Sequence, residues 1–292
     1  MVKELYSYDL TRQAKALAIC IGVVFVYTVI ALLLSNRFES LHVLQYFLIF
    51  LGLSVSFINL VNLIFQIYLI YDYNKTMYGT QGILTNILPM DTGSVVLAKS
   101  LSIMTVMLLI NIALSILTLV IFAALASQVN LDEFEEVAMV FHSLAKFFEL
   151  GIPAWYIVAA VVGLLVQSFY TAGFVVFVNS IANLPSFKKY KLLVLILTSI
   201  IIIVICIMFI NFAYQINAGF SQELLFDSRG ILNGFGPLKF SHDSSPFIDW
   251  NDNEGLPNVL SFAIAPTLIM FILAIILMGA GIYLAARKLR IK

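Results

Sequence analysis

Charged side chains make up only 11% of this chain of 292 residues, against 62% hydrophobic ones. That shortage excludes an ordinary soluble domain, in which roughly 45–50% of residues are apolar. Basic and acidic residues balance at 16 each, so no excess positive charge points to nucleic acid. Cysteine is nearly absent: Cys20 and Cys206 both lie inside apolar runs, as small buried hydrophobes do, and no metal-ligand spacing accompanies them. The three histidines, His42, His142 and His242, stand apart in polar segments without an HExxH pair. No Gly-x-Ser-x-Gly elbow is present. The nearest approach to a phosphate-binding loop, Gly93 to Ser100, has Ala98 where the second glycine belongs and leads into an apolar run, so an ATPase within the chain is excluded too. Polar residues occupy the first fifteen positions and the apolar run behind them is too long for a cleaved signal peptide.

What is abundant is apolar sequence of membrane-crossing length. About 20 such residues cross a hydrocarbon core of ~30 Å, and six runs qualify: 14–35, 44–71, 95–126, 153–182, 192–214 and 258–286. These predict an all-α membrane protein forming a single transmembrane domain over residues 1–292. Ahead of the first run, Leu5, Tyr6 and Leu10 stand among Lys3, Glu4, Asp9, Arg12 and Lys15, a mixture suited to an interfacial helix along the membrane surface. Outer helical segments are expected after the third and fifth spans, at Asn130 to Gly151 and within Gln215 to Pro257. No internal repeat of the kind found in many secondary transporters is evident.

Orientation follows from charge. Placing both ends in the cytoplasm puts Lys3, Arg12, Lys15, Lys75, Lys99, Lys188, Lys189, Lys191, Arg287, Lys288, Arg290 and Lys292 inside. Only Arg37, Lys146, Arg229 and Lys239 remain outside, so the positive-inside rule holds at every inner segment. The polar stretch Tyr71 to Lys99 is then cytoplasmic. Within it Ile83, Leu84, Ile87 and Leu88 recur at helical spacing from Gly79 until Pro89 stops the helix.

Apart from Lys99, the spans carry no charge in their interior, and proton relays and ion-coupled carriers are built from such charges. Neutral polar residues do fall in stripes: Asn59, Asn62 and Gln66 on the second span, Asn111, Ser115 and Thr118 on the third, Gln167 and Thr171 on the fourth. They serve either as hydrogen bonds between helices, worth about 0.6 kcal/mol each, or as the lining of a substrate path.

The layout resembles the permease subunit of a type-2 ABC exporter. The features that carry the resemblance are the amphipathic start, six spans with both ends inside, and Tyr78-Gly79-Thr80-Gln81-Gly82 followed by Ile87-Leu88-Pro89-Met90-Asp91. Lys99 entering the third span and a larger outer segment before the last also match. The segment between the third and fourth spans is longer than in the simplest members. The resemblance implies that Gly79, Gly82, Ile83, Leu84, Ile87, Leu88 and Pro89 form a coupling helix docking on a separate ABC ATPase, present in two copies. It also implies that a second permease chain, identical or not, completes the pathway. ATP and magnesium would bind the ATPase and no cofactor this chain, which would itself be no enzyme. Asn59, Asn62, Gln66, Asn111, Ser115, Gln167 and Thr171 become candidates for lining the path of a hydrophobic or amphipathic cargo: a peptide, lipid or drug. The Asn- and Ile-rich composition fits the plasma membrane of a Gram-positive bacterium. Two other readings stay open: a carrier that needs no ATP, and a membrane scaffold or sensor that transports nothing.

Overall fold

The computed structural model describes residues 2–35, 43–79, 91–126, 146–147, 149–216, 218–227, 232–242, 249–250 and 257–290. Six long helices carry the apolar runs: α1 (Val2–Ser35), α2 (Val43–Met77), α3 (Thr92–Ala126), α4 (Ala154–Ala182), α5 (Lys191–Ile216) and α6 (Ile264–Arg290). Each is long and apolar enough to cross a bilayer, and the protein is a multi-pass membrane protein. The chain divides into two compact units. One comprises Met1–Ser127, Leu164–Ile205 and Phe271–Lys292; the other comprises Gln128–Gly163 and Cys206–Met270.

In the first unit, α1 packs chiefly along α3, and α2 lies against both. The periodicity of α1 explains the pairing. Leu5, Asp9, Gln13, Leu17, Val24, Thr28 and Ala31 are buried, a stripe at steps of three, four and seven on one helix face. That stripe runs without a break through the amphipathic start, so Val2–Ser35 is one helix. The separate interfacial helix expected for the first fifteen residues is replaced by extra turns of the first span. The reason is that Leu5, Asp9 and Gln13 share the buried face of the apolar turns that follow, and nothing between them breaks a helix.

On α2 the buried stripe is Ser54, Ile58, Val61, Phe65, Leu69, Asp72 and Thr76, joined at its end by Tyr73 and Met77. Stacking of Tyr27 on Phe57 at 4.3 Å and a 3.1 Å hydrogen bond between the Tyr27 and Ser54 hydroxyls fix α1 to α2 further along. The second half of α4 is buried on nearly all sides, from Ser168 to Ala182. It meets α6 where both helices have glycine. A Cβ on Gly173 would lie 2.9 Å from the Ala274 carbonyl oxygen, and one on Gly281 would lie 2.8 Å from Val176 Cγ1. Backbones this close tolerate no side chain, the same logic by which small residues bring helices together in membranes.

The second unit contains what the composition hid. Where helix was expected after the fifth span, the chain builds β1 (Gly219–Phe226), β2 (Leu232–Ser241), β3 (Asp249–Trp250) and β4 (Pro257–Ala263). They form one antiparallel sheet in the order β2-β1-β4-β3. The all-α expectation is therefore wrong for this segment, and the sixth span begins at Ile264 because Val259 to Ala263 pair with β1. The physical cause is alternation. Phe220, Gln222 and Leu224 point to one side of β1 and Ser221 and Glu223 to the other, a period of two that a helix cannot satisfy. Pro237 and the exposed Lys239 sit on β2, an edge strand, where both discourage pairing with another sheet. Of the outer segment Asn130 to Gly151, residues 130–145 and Phe148 lie outside the described residues.

Candidate functional site

Helices α1, α2 and α3 are 34, 35 and 35 residues long. At 1.5 Å per residue each extends about 50 Å, well beyond a hydrocarbon core of ~30 Å. The surplus carries charge at one shared end: Asp9 and Arg12 near the start of α1, Asp72 near the end of α2 and Lys99 near the start of α3.

These four side chains form a closed set. Arg12 Nη2 donates to Asp9 Oδ1 and to Asp72 Oδ2, both at 2.7 Å. Lys99 Nζ donates to the other oxygen of Asp9 at 3.0 Å. Gln13 Nε2 donates to Asp72 Oδ2 at 3.2 Å, and Gln13 Oε1 accepts from the Ser102 hydroxyl at 2.7 Å. Asp9, Asp72 and Lys99 are only 1%, 5% and 3% exposed, so three charges have left water. That is tolerable because two acids meet two bases and Gln13 adds a donor to Asp72. Two polar atoms beside the set, Arg12 Nε and the Tyr73 hydroxyl, are buried without a hydrogen-bond partner among the described residues.

A second network, built on amides and hydroxyls with one lysine, grips the same α2 terminus. Asn74 Nδ2 donates to Asn179 Oδ1 at 2.8 Å, and Asn179 Nδ2 donates to the carbonyls of Val175 and Ile70. Lys191, the first residue of α5, donates to Asn74 Oδ1 at 2.6 Å. The Tyr78 and Ser180 hydroxyls are 3.0 Å apart, and Ser180 Oγ donates to the Gly281 carbonyl on α6. Burial pushes the Tyr78 phenol up to about 12, against the lowering by its hydrogen bond with Ser180. It therefore stays neutral at any physiological pH.

Between these networks the last turn of α2 ends at Gly79, whose amide, like that of Tyr78, bonds the Asn74 carbonyl. A side chain at Gly79 would come within 2.5 Å of the Lys75 carbonyl oxygen. On the far side of the segment, Asp91 Oδ2 accepts from the Gly93 amide at 3.0 Å and caps α3. The polar stretch between α2 and α3 is thus fastened at both of its roots. Of the residues expected to make a coupling helix, Gly79 is that root; Gly82, Ile83, Leu84, Ile87, Leu88 and Pro89 lie outside the described residues.

The candidate lining residues divide. Asn62 Nδ2 donates to Asn111 Oδ1 at 3.3 Å across α2 and α3, leaving Asn62 Oδ1 and Asn111 Nδ2 without partners among the described residues. Asn59, Ser115 and Gln167 are exposed and Gln66 partly so. Thr171 is buried and, like Thr118, returns its hydroxyl to a carbonyl of its own helix. The stripe therefore supplies one contact between helices, some exposed polar groups and some internal ones.

Sequence reasoning missed the partnership of Asp9, Arg12, Asp72 and Lys99, and the roles of Asn74, Asn179, Ser180 and Lys191. One signal was legible: Asp9 and Gln13 fall at i+4 and i+8 from Leu5 on the face that Leu17 continues. A carboxylate in register with a buried stripe calls for a cation from another helix. Among the described residues no group of three His, Cys, Asp or Glu could hold a metal ion. No known protein family, no characterised protein and no solved structure matches the chain.

Proposed function

We propose that this chain is the membrane-spanning subunit of an ATP-driven exporter of the ABC type, paired with a second permease chain and coupled to a separate ATPase through residues 79–91. One observation carries the reading: the α2 terminus next to that segment is held by the charged set from α1 and α3 and by the asparagine network from α4 and α5. A push on a segment so rooted moves several helices together. A segment hung from a single frayed helix end would absorb it. The apolar residues Ile83, Leu84, Ile87 and Leu88 supply the face that would enter a groove on the ATPase. Cargo without charge, such as an amphipathic peptide or lipid, suits six apolar runs whose charges are confined to Lys15 and Lys99 near their ends.

The buried charges favour a second reading, a carrier driven by an ion gradient, since acid and base pairs within membrane helices often relay protons. Two features weigh against it. The charges are matched two against two, and they occupy the helix ends that extend past the apolar core. Reconstitution separates the readings. Vesicles containing the chain and its ATPase should move cargo on addition of ATP and magnesium, and vesicles containing the chain alone should not respond to a proton or sodium gradient. Gradient-driven movement by the chain alone would overturn the proposal.

A further inference from the structure

The sheet of the second unit has one polar and one apolar face, and the apolar face is only half covered. Register places Phe220 opposite Phe240 on β2 and Phe262 on β4, so three phenylalanines form a row across three strands. Phe220 and Phe240 pack edge to face with centroids 5.6 Å apart. The next row on that face is Leu238, Gln222 and Leu260. There Trp155 donates its indole N–H to Gln222 Oε1 at 2.8 Å, and Leu260 is buried. Cover stops at that row: Phe240 is 58% exposed and Phe220 39%. The opposite face carries Ser221, Ser261 and the exposed ion pair of Lys239 with Glu223.

The position of the row says what covers it. Phe220 is the second residue of β1, just after α5, and Phe262 is the next-to-last residue of β4, just before α6. Two residues of strand rise only about 7 Å, so the row lies at the level where both helices meet the membrane surface. Met208, Phe212 and Ile216 are exposed apolar side chains on the last turns of α5, a helix exposed on most of its sides, and Phe220 follows them at the start of the sheet. The Ile264 amide bonds the Ala218 carbonyl at 3.0 Å, tying the two helix–strand junctions together.

We propose that the phenylalanine row is a lipid-seating surface: Phe220, Phe240 and Phe262 rest in the boundary between headgroups and acyl chains, while Lys239 and Glu223 face water. The partner is the bilayer itself, selected by the place of the row beside the ends of two membrane-spanning helices and by the absence of charge from it. The sheet is thereby held at a fixed height against the membrane on which α5 and α6 open. This inference does not depend on the proposed transport role.

Spin labelling of the full chain in phosphatidylcholine–phosphatidylglycerol vesicles tests it. With Cys20→Ser and Cys206→Ala as background, nitroxides are placed by Phe240→Cys, by Phe220→Cys and, on the other face, by Lys239→Cys. The expected result is that dissolved oxygen relaxes the labels at 220 and 240 more than a water-soluble nickel chelate does, with the order reversed at 239. Two outcomes overturn the proposal. Greater nickel access at 220 and 240 would put the row in water. Protection from both reagents would mean that a second copy or another protein covers it. The two phenylalanine sites are independent, so failure of one variant to fold leaves the other to decide.

Discussion

The Lys99 ammonium stands 3.0 Å from the Asp9 carboxylate, 90 residues away along the chain, with both side chains almost wholly withdrawn from water. Removing one partner of such a pair leaves an uncompensated buried charge and costs about 3–5 kcal/mol. Lys99→Met should therefore lower the unfolding temperature in detergent sharply. Asp9→Asn combined with Lys99→Met should recover much of the loss, since neither charge is then stranded. Additive losses in this double-mutant cycle would show that the two residues act separately.

Asn179 joins α4 to α2 by one accepted and one donated hydrogen bond, and donates a further one to Val175 on its own helix. Asn179→Leu orphans Asn74 Nδ2 and the Ile70 carbonyl, and should cost about 1–3 kcal/mol. Asn59→Leu, at an exposed position, should stay within about 0.5 kcal/mol. Denaturation followed by tryptophan fluorescence gives both values, and equal effects would remove Asn179 from its place as a hub.

At the crossing of α4 and α6, Gly281→Val should force the helices apart at a cost of about 1–3 kcal/mol. Gly163, with nothing within 4 Å of an added Cβ, serves as the comparison. Gly163→Ala should be neutral or stabilising by up to about 1 kcal/mol. A tolerated Gly281→Val would mean that the contact of its Cβ with Val176 and Phe177 is relieved without strain.

Leu84→Asp and Ile87→Asp should abolish copurification of the ATPase and nucleotide-dependent transport while leaving the unfolding temperature within about 2 °C of the parent. Retained association in both variants would dismiss the docking role of the segment.

Six membrane helices were legible because a run of apolar residues announces itself locally, and the end at Ala182 coincides with the structure to the residue. Asp9, Arg12 and Asp72 were not legible as a site. A charge at the edge of an apolar run reads as the end of a span, and only a partner 60 or 90 residues distant turns it into the continuation of one. The sheet was hidden for a different reason. Its strands are short, β1 and β2 are interrupted by register shifts, and Gly, Pro and Ser between and within them carry the composition of a loop. The Asn62 and Asn111 pair was visible as two stripes, but periodicity on single helices cannot say which stripes will face each other.

The order in which the charged set is synthesised has a consequence for biogenesis. When α1 and α2 have left the ribosome and α3 has not, Asp9, Arg12 and Asp72 are present without Lys99: two acids against one base. The half-made protein carries an unneutralised carboxylate at the membrane boundary until the third helix arrives and cancels it. A chain truncated before Lys99 keeps that charge without its counter-ion, so the charged set closes only when the third helix is in place.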